Sequence, residues 1–239
     1  METAGKAPIV VIKRYEMKYI LEAEQVEFLK KGLEKHTRPD DYGLTSIASL
    51  YYDTPDYLLI RRSLEKPRFK ERIRLRSYGM ATEQTPVYLE LKRKSEGIVY
   101  KRRVQTTIPL VKQFFDGDGD ICAEGQINSE IRYFRDYYKA LVPSCLIIYD
   151  RIAYFEPDGD LRLTIDYAPR YRVTDLNLTT SMSGNLLLPE GSAILEIKVQ
   201  GAMPLWLANL LSQGRIYKTS FSKYGAAYKE QLAAVTQKG

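Results

Sequence analysis

Residues 68–77 read RFKERIRLRS. Side chains alternate across a strand, so positions two apart share a face. As a strand, this stretch sets Lys70, Arg72, Arg74 and Arg76 on one side and Ile73 and Leu75 on the other. Four cations in one column repel each other unless an anion or carboxylates neutralise them. An antiparallel sheet can turn one such face to water. A solvent face normally mixes hydroxyl, amide and both charge signs, and this one does not. The other meaning is a charged face turned into an enclosed lumen.

The same division recurs along the chain. On 86–94, Glu90 and Lys92 oppose Leu89 and Leu91, and on 98–108 Lys101 and Arg103 share a face. On 145–155, Tyr149 and Arg151 oppose Ile148 and Ile152. On 161–167, Arg162, Thr164 and Asp166 oppose Leu161, Leu163 and Ile165. On 193–200, Glu196 and Lys198 oppose Leu195, Ile197 and Val199. A first strand over 9–20 pairs Glu16 with Lys18, and SIASLYYD over 46–53 completes eight strands. Helices are predicted over about 22–36, 129–141, 204–212 and 221–234, with a short one in YLLIRRSL after Asp53-Thr54-Pro55. Turns fall at Ser77-Tyr78-Gly79, Ser95-Glu96-Gly97 and Pro157-Asp158-Gly159-Asp160, and 172–191 is long and irregular. The fold class expected is α+β and mainly antiparallel β. Its form would be an eight-stranded closed tunnel barrel with helices packed outside, because closure removes exposed edges. No repeat or linker divides residues 1–239, so one domain with a core of about 10–230 is expected.

Charge narrows the partner. Between Arg68 and Arg103 stand eleven Lys or Arg and four Glu, a surplus of seven against six for the whole chain. So concentrated a basic region calls for a polyanion. Nucleic acid is not expected, because base-stacking aromatics are missing from the charged face of 70–76. No run approaches the ~20 apolar residues of a membrane span. The start METAGKAPIV has no signal-peptide pattern. Two cysteines, Cys122 and Cys145, make no disulfide framework, and a reduced, cytoplasmic protein is expected. No P-loop signature is present. Asp116–Asp120 is spaced like the start of an EF-hand loop, but Ile127 stands where that loop needs Glu, so a solvated loop is expected. The one histidine, His36, reads as a surface or capping residue.

In order and motif the chain resembles the VTC domain, the polyphosphate polymerase module of the triphosphate tunnel metalloenzyme superfamily, over about 14–229. RYEMKYIL is similar to its first strand, RLRSYG to its Arg-x-Arg strand and VYLELKRK to its Glu-x-Lys strand, followed by the basic YKRRV. IIYDRIAYF, LRLTIDY, AILEIKVQ and FSKYG resemble the Tyr-x-Arg, Arg, metal-carboxylate and Ser-Lys segments in turn. The resemblance implies that Lys18, Arg74, Arg76, Lys92, Lys101, Arg151, Arg162 and Lys223 bind phosphates, with Tyr149 and Ser222 as hydroxyl donors and Lys198 beside them. It implies a divalent metal, manganese or magnesium, on Glu196. Glu16, Glu90 and Asp166 would hold metal or neutralise cations. Hydrolase and cyclase relatives often begin with Glu-x-Glu-x-Lys; here Arg14, Glu16 and Lys18 stand, so one carboxylate is missing.

The activity this implies is in-line transfer of the γ-phosphate of ATP to a growing inorganic polyphosphate chain. Arg74, Arg76, Lys92 and Lys101 would carry the catalytic charge. Catalysis would be positioning plus charge neutralisation without a covalent intermediate. Hydrolysis of a triphosphate or of polyphosphate in the same tunnel, and non-catalytic polyphosphate binding, stay open.

Overall fold

The computed structural model describes residues 15–96, 98–121 and 125–236. The eight expected strands are all present. They are β1 (Tyr15–Leu21), β3 (Thr45–Asp53), β4 (Phe69–Tyr78), β5 (Val87–Ser95), β6 (Ile98–Thr106), β7 (Val142–Phe155), β8 (Arg162–Arg172) and β10 (Ala193–Val199). Three two-residue strands join them: β2 (Arg38–Pro39), β9 (Asn185–Leu186) and β11 (Lys218–Thr219). Among the described residues six helices are interspersed with them: α1 (Ala23–Leu33), α2 (Leu58–Leu64), α3 (Ile108–Phe115), α4 (Gln126–Tyr138), α5 (Leu205–Gln213) and α6 (Lys223–Thr236). Residues 9–14 of the expected first strand, Arg14 included, lie outside the described residues, as does Cys122.

All the strands belong to one sheet, ordered β11-β1-β10-β8-β7-β3-β4-β5-β6, with β2 paired to β7 and β9 to β8. The pairings are antiparallel. The expected closed eight-stranded barrel is corrected in one respect. The sheet has eleven strands, and its terminal strands β6 and β11 do not pair, so hydrogen bonds do not close it.

The apolar strand faces are covered as the alternation requires. Leu50, Ile73, Leu75, Leu89 and Leu91 pack with Val111 and Phe114 of α3 and Ile131 and Phe134 of α4. Leu163, Ile165, Leu195 and Ile197 pack with Val26, Leu29 and Leu33 of α1 and Leu207 and Leu211 of α5. Helix α1 starts where expected, the backbone N–H of Glu22 donating to Gln25 at 3.0 Å. Helix α3 is the element that strand alternation misses. Pro109 sits in its first turn, where a missing N–H costs nothing, and Val111 and Phe114 are three apart on its buried face.

Not every helix packs outside. Tyr51, Cys145, Ile147 and Tyr149 form a third cluster with Ile60 of α2 and Tyr224, Ala227 and Tyr228 of α6. Tyr51 is paired across the sheet with Arg74, and Ser49 with Arg76, so this cluster lies on the charged face of the sheet. The expectation that helices lie only outside is therefore corrected: α2 and α6 occupy part of the concave side. Strand β3 is buried on both faces over Ile47–Asp53, which is why its sequence lacks a charged side.

Candidate functional site

The wall made by β4, β5 and β6 carries the densest charge. Lys70, Arg72, Arg74 and Arg76 climb ~20 Å along β4 at the rise of an extended strand. Register places Arg74 opposite Glu90 and Glu90 opposite Arg103. Glu90 is 1% exposed and is the hub of the wall. Arg74 donates from Nε at 2.9 Å and lies 2.7 Å away through Nη2. Lys101 Nζ stands 3.0 Å from its other oxygen, and Arg76 and Arg103 are each 3.8 Å away. Burial opposes a charge on Glu90, but Arg74, Arg76 and Lys101 outweigh it and hold the carboxyl at about 2.

Above Glu90 the register places like charges face to face: Arg72 opposite Lys92, Lys92 opposite Lys101 and Lys70 opposite Lys94. Such pairs are unfavourable without an anion. Among the described residues, no ion pair takes up Lys70, Arg72 or Lys92. Burial lowers the proton affinity of Lys92 from the ordinary lysine range, with Lys18 and Arg72 acting in the same sense and Glu16 and Glu196 against it. Glu16, Lys18 and Glu196 belong to β1 and β10, toward the other end of the strand order. Direct contacts also cross the charged face: Arg76 of β4 meets Tyr149 of β7, and Arg72 of β4 meets Ser222 just before α6.

The opposite wall is built from β1, β7, β8, β10 and the first turn of α6. Asp166 is fully buried and accepts from Arg151 Nε at 2.6 Å and Nη2 at 2.9 Å, a bidentate grip. Lys223 Nζ donates to the same carboxylate at 2.5 Å. Burial would raise the Asp166 carboxyl, but Lys223 and Arg151 hold it below the usual range. Glu196 lies 2.7 Å from Lys198 and 3.7 Å from Lys18, which also reaches Glu16 at 3.6 Å. Against its burial, Lys198, Lys18 and Arg151 hold Glu196 at about 2. Tyr149 is buried, and its hydroxyl accepts from Arg76 Nη2 at 3.3 Å while Lys223 Nζ sits 4.3 Å over its ring. Ser222 Oγ accepts from Arg72 at 3.3 Å. Ser222, Lys223 and Tyr224 thus each touch a different part of the wall, which is how α6 comes to enter the lumen.

These contacts link Arg74, Arg76, Lys101, Tyr149, Arg151 and Lys223 through Glu90 and Asp166; Ser222 joins through Arg72, Lys18 and Lys198 meet on Glu196, and register sets Lys92 between Arg72 and Lys101. Arg162 is exposed at the start of β8, opposite Lys198 in the register, with its guanidinium 5.1 Å over Phe155. Arg72, Arg103 and Tyr51 belong to the lumen although sequence reasoning did not single them out as site residues. Arg72 and Arg103 were visible in the alternation. Tyr51 was not, because both faces of its strand are apolar or small.

The carboxylates divide by what surrounds them. Asp166 and Glu90 are committed to cations on every side, which suits neutralisation rather than metal ligation. Glu196 is ionised and partly open, with Glu16 reached through Lys18. Among the described residues, no cluster of three or more His, Cys, Asp or Glu forms a metal cage. A site of this kind fits a hard divalent ion whose ligands come largely from phosphate oxygens, with one or two protein carboxylates.

Other features lie away from the lumen. His36 is exposed and stacks on Trp206 of α5 with ring centroids 4.2 Å apart, so the single histidine is outside the cationic cavity. A cavity of about 610 Å³ lies on the apolar side of β3 and β4, lined by Leu50, Leu75, Ile108, Phe115 and Leu178, and its walls do not suit phosphate. No described helix is long and apolar enough to cross a membrane.

Comparison with known proteins agrees with this architecture. The VTC domain family model matches residues 13–231. No curated protein matches. A putative adenylyl cyclase from Hippeastrum, described as having a dominant triphosphatase activity, superposes with a TM-score of 0.54 at 16% identity, covering 90% of this chain and 95% of its own. A putative adenylate cyclase from Bacillus halodurans gives 0.53 at 13% identity, covering 88% and 94%. At these identities the likeness is one of fold.

Proposed function

The chain belongs to the VTC domain family, and from that premise we propose that it is a polyphosphate polymerase, transferring the γ-phosphate of ATP to a growing inorganic polyphosphate chain in its cationic lumen. One observation supports the reading: the charged sides of β1, β4, β5, β6, β7 and β10, with the start of α6, carry more cations than the carboxylates Glu16, Glu90, Asp166 and Glu196 can neutralise. Lys70, Arg72 and Lys92 are left for a ligand that is itself a column of negative charge.

In this reading Arg74, Arg76, Lys92 and Lys101 hold the γ-phosphate and spread its developing charge. Lys18, Lys198, Arg151 and Lys223 line the opposite wall and position the acceptor chain in line with the bond that breaks. Tyr149 and Ser222 offer hydroxyls to phosphate oxygens. Arg162, at the exposed end of β8, guides phosphate at the rim. Glu196, with Glu16 behind Lys18, would hold a divalent ion, manganese or magnesium, which would supply positive charge for neutralising phosphate. The attacking phosphate oxygen is already ionised, so the chain's own residues need supply no strong base. Their contribution is alignment and a preorganised field. We read the chain as one tunnel domain that acts on soluble substrates in the cytoplasm.

The second reading is hydrolysis of a triphosphate in the same lumen, and the activity ascribed to the Hippeastrum structure favours it. Incubation of the purified chain with ATP and manganese separates the two. Synthesis gives a ladder of long phosphate polymers on a gel, together with ADP. Orthophosphate with no polymer overturns the polymerase reading.

A further inference from the structure

Tyr51 stands at the centre of contacts that the proposed reaction has not yet used. It is 8% exposed on the charged face of β3, directly opposite Arg74. Arg74 Nη1 donates to its hydroxyl at 3.0 Å, while the Nε and Nη2 side of the same guanidinium is held by Glu90. The guanidinium carbon lies 5.8 Å from the Tyr51 ring. The ring stacks on Tyr224 with centroids 4.6 Å apart. Tyr224 in turn donates its hydroxyl to Asp53 at 2.8 Å and lies 2.8 Å from Ser144 Oγ, and Asp53 accepts the backbone N–H groups of Leu59 and Ile60 at the start of α2. Arg74 is therefore clamped between a carboxylate and a phenol, and the phenol is braced against α6 and α2. The Tyr51 hydroxyl accepts from Arg74, and no described residue accepts its own proton.

We propose that Tyr51 is a positioning residue of the phosphate site: it holds the Arg74 guanidinium toward the lumen, and its hydroxyl proton keeps the site cationic. This rests on the lumen being the phosphate site. The charged groups acting on the hydroxyl are Arg74, Arg72 and Arg76 from β4; Glu90 of β5 reaches it through Arg74, Cys145 of β7 is its cross-strand neighbour, Tyr149 of β7 shares its cluster and Tyr224 of α6 covers its ring. Burial would raise the phenol, but Arg74, Arg72 and Arg76 outweigh it and bring it to about 8. Loss of that proton places an anion on Arg74, competing with phosphate for the same guanidinium. Affinity for a phosphate chain therefore falls as pH rises through about 8. Lys70, Lys92 and Lys101, lowered chiefly by burial, add to that fall independently of Tyr51.

The test is metal-free calorimetric binding of inorganic tripolyphosphate from pH 6.5 to 9.5, comparing the natural chain with Tyr51→Phe and Arg74→Ala. Phe keeps the stack on Tyr224 and removes only the hydroxyl, and a thermal melt confirms that the variant is folded. At pH 7 the expected result for Tyr51→Phe is binding about tenfold weaker, as for loss of a hydrogen bond to a charged group. Its affinity also falls less steeply with pH than that of the natural chain, since only the lysine component remains. Unchanged affinity at pH 7, or an alkaline fall as steep as in the natural chain, overturns the proposal. Arg74→Ala separates this from the wider reading. If it leaves binding intact, the lumen is not the phosphate site; if it weakens binding while Tyr51→Phe does not, only the role of Tyr51 fails.

Discussion

Replacing Glu90 by Gln tests the charge balance of the lumen directly. Glu90 is almost wholly buried, and its carboxyl is held at about 2 against an ordinary 4.5. At about 1.4 kcal/mol per pKa unit, that depression corresponds to about 3 kcal/mol of folding stability. Because the folded-state pKa is the lower one, the contribution is complete above about pH 5 and is lost as pH falls toward 2. Gln keeps the shape but presents no negative charge to Arg74, Arg76, Lys101 and Arg103. Breaking a buried charge network in this way costs about 3–5 kcal/mol. For a chain of this size each kcal/mol moves Tm by about 2–4 °C, so a fall of roughly 6–20 °C is expected at pH 7 and low salt. The loss should be partly recovered by tripolyphosphate, because the ligand supplies the missing anion. Its stabilising effect should therefore be larger on Glu90→Gln than on the natural chain. The assay is a thermal melt of both proteins with and without tripolyphosphate, in the absence of metal, from pH 7 down to pH 3. The reasoning is refuted if the two proteins melt together at pH 7, if their difference does not shrink toward pH 3, or if the ligand stabilises the variant less.

Two further predictions separate other parts of the site. Glu196→Gln should bind tripolyphosphate without metal at least as tightly as the natural chain, yet lose the increment that manganese adds, as read by calorimetry with and without the ion. An undiminished manganese increment would remove Glu196 from the metal site. Cys145 is buried and its thiol is pushed up to about 12 by burial, so in the native chain it should resist a thiol reagent at pH 8 and react after unfolding in guanidinium; rapid labelling of the folded chain at this position would contradict the packing of β7 against α6.

The strands and their charged faces were legible because alternation is a local property. Lys70, Arg72, Arg74 and Arg76 must share a side of any strand that contains them, whatever lies beyond it, and Ile73 and Leu75 must share the other. Each charged strand shows the same division, and the order of the segments by itself resembles that of the family. Helix α3 escaped because its eight residues follow a strand without an intervening loop. Tyr51 escaped because it lies on a strand whose two sides are both packed, one against α3 and α4 and the other against α6.

What the sequence by itself determined is the set of charges and the face each one takes, since backbone geometry settles that residue by residue. Only the tertiary structure decided how those charges share their neutralisation. Asp166 went to Arg151 and Lys223, fifteen and fifty-seven residues away. Glu90 became the hub of four cations on the two strands that flank its own. Lys70, Arg72 and Lys92 were left for a ligand. Sheet topology followed the same division: the antiparallel pairing could be read from local pattern, whereas the strand order and the placement of α6 on the charged face depend on contacts between distant segments. Coulomb attraction and packing act on distance in space, and that distance is set by the whole fold.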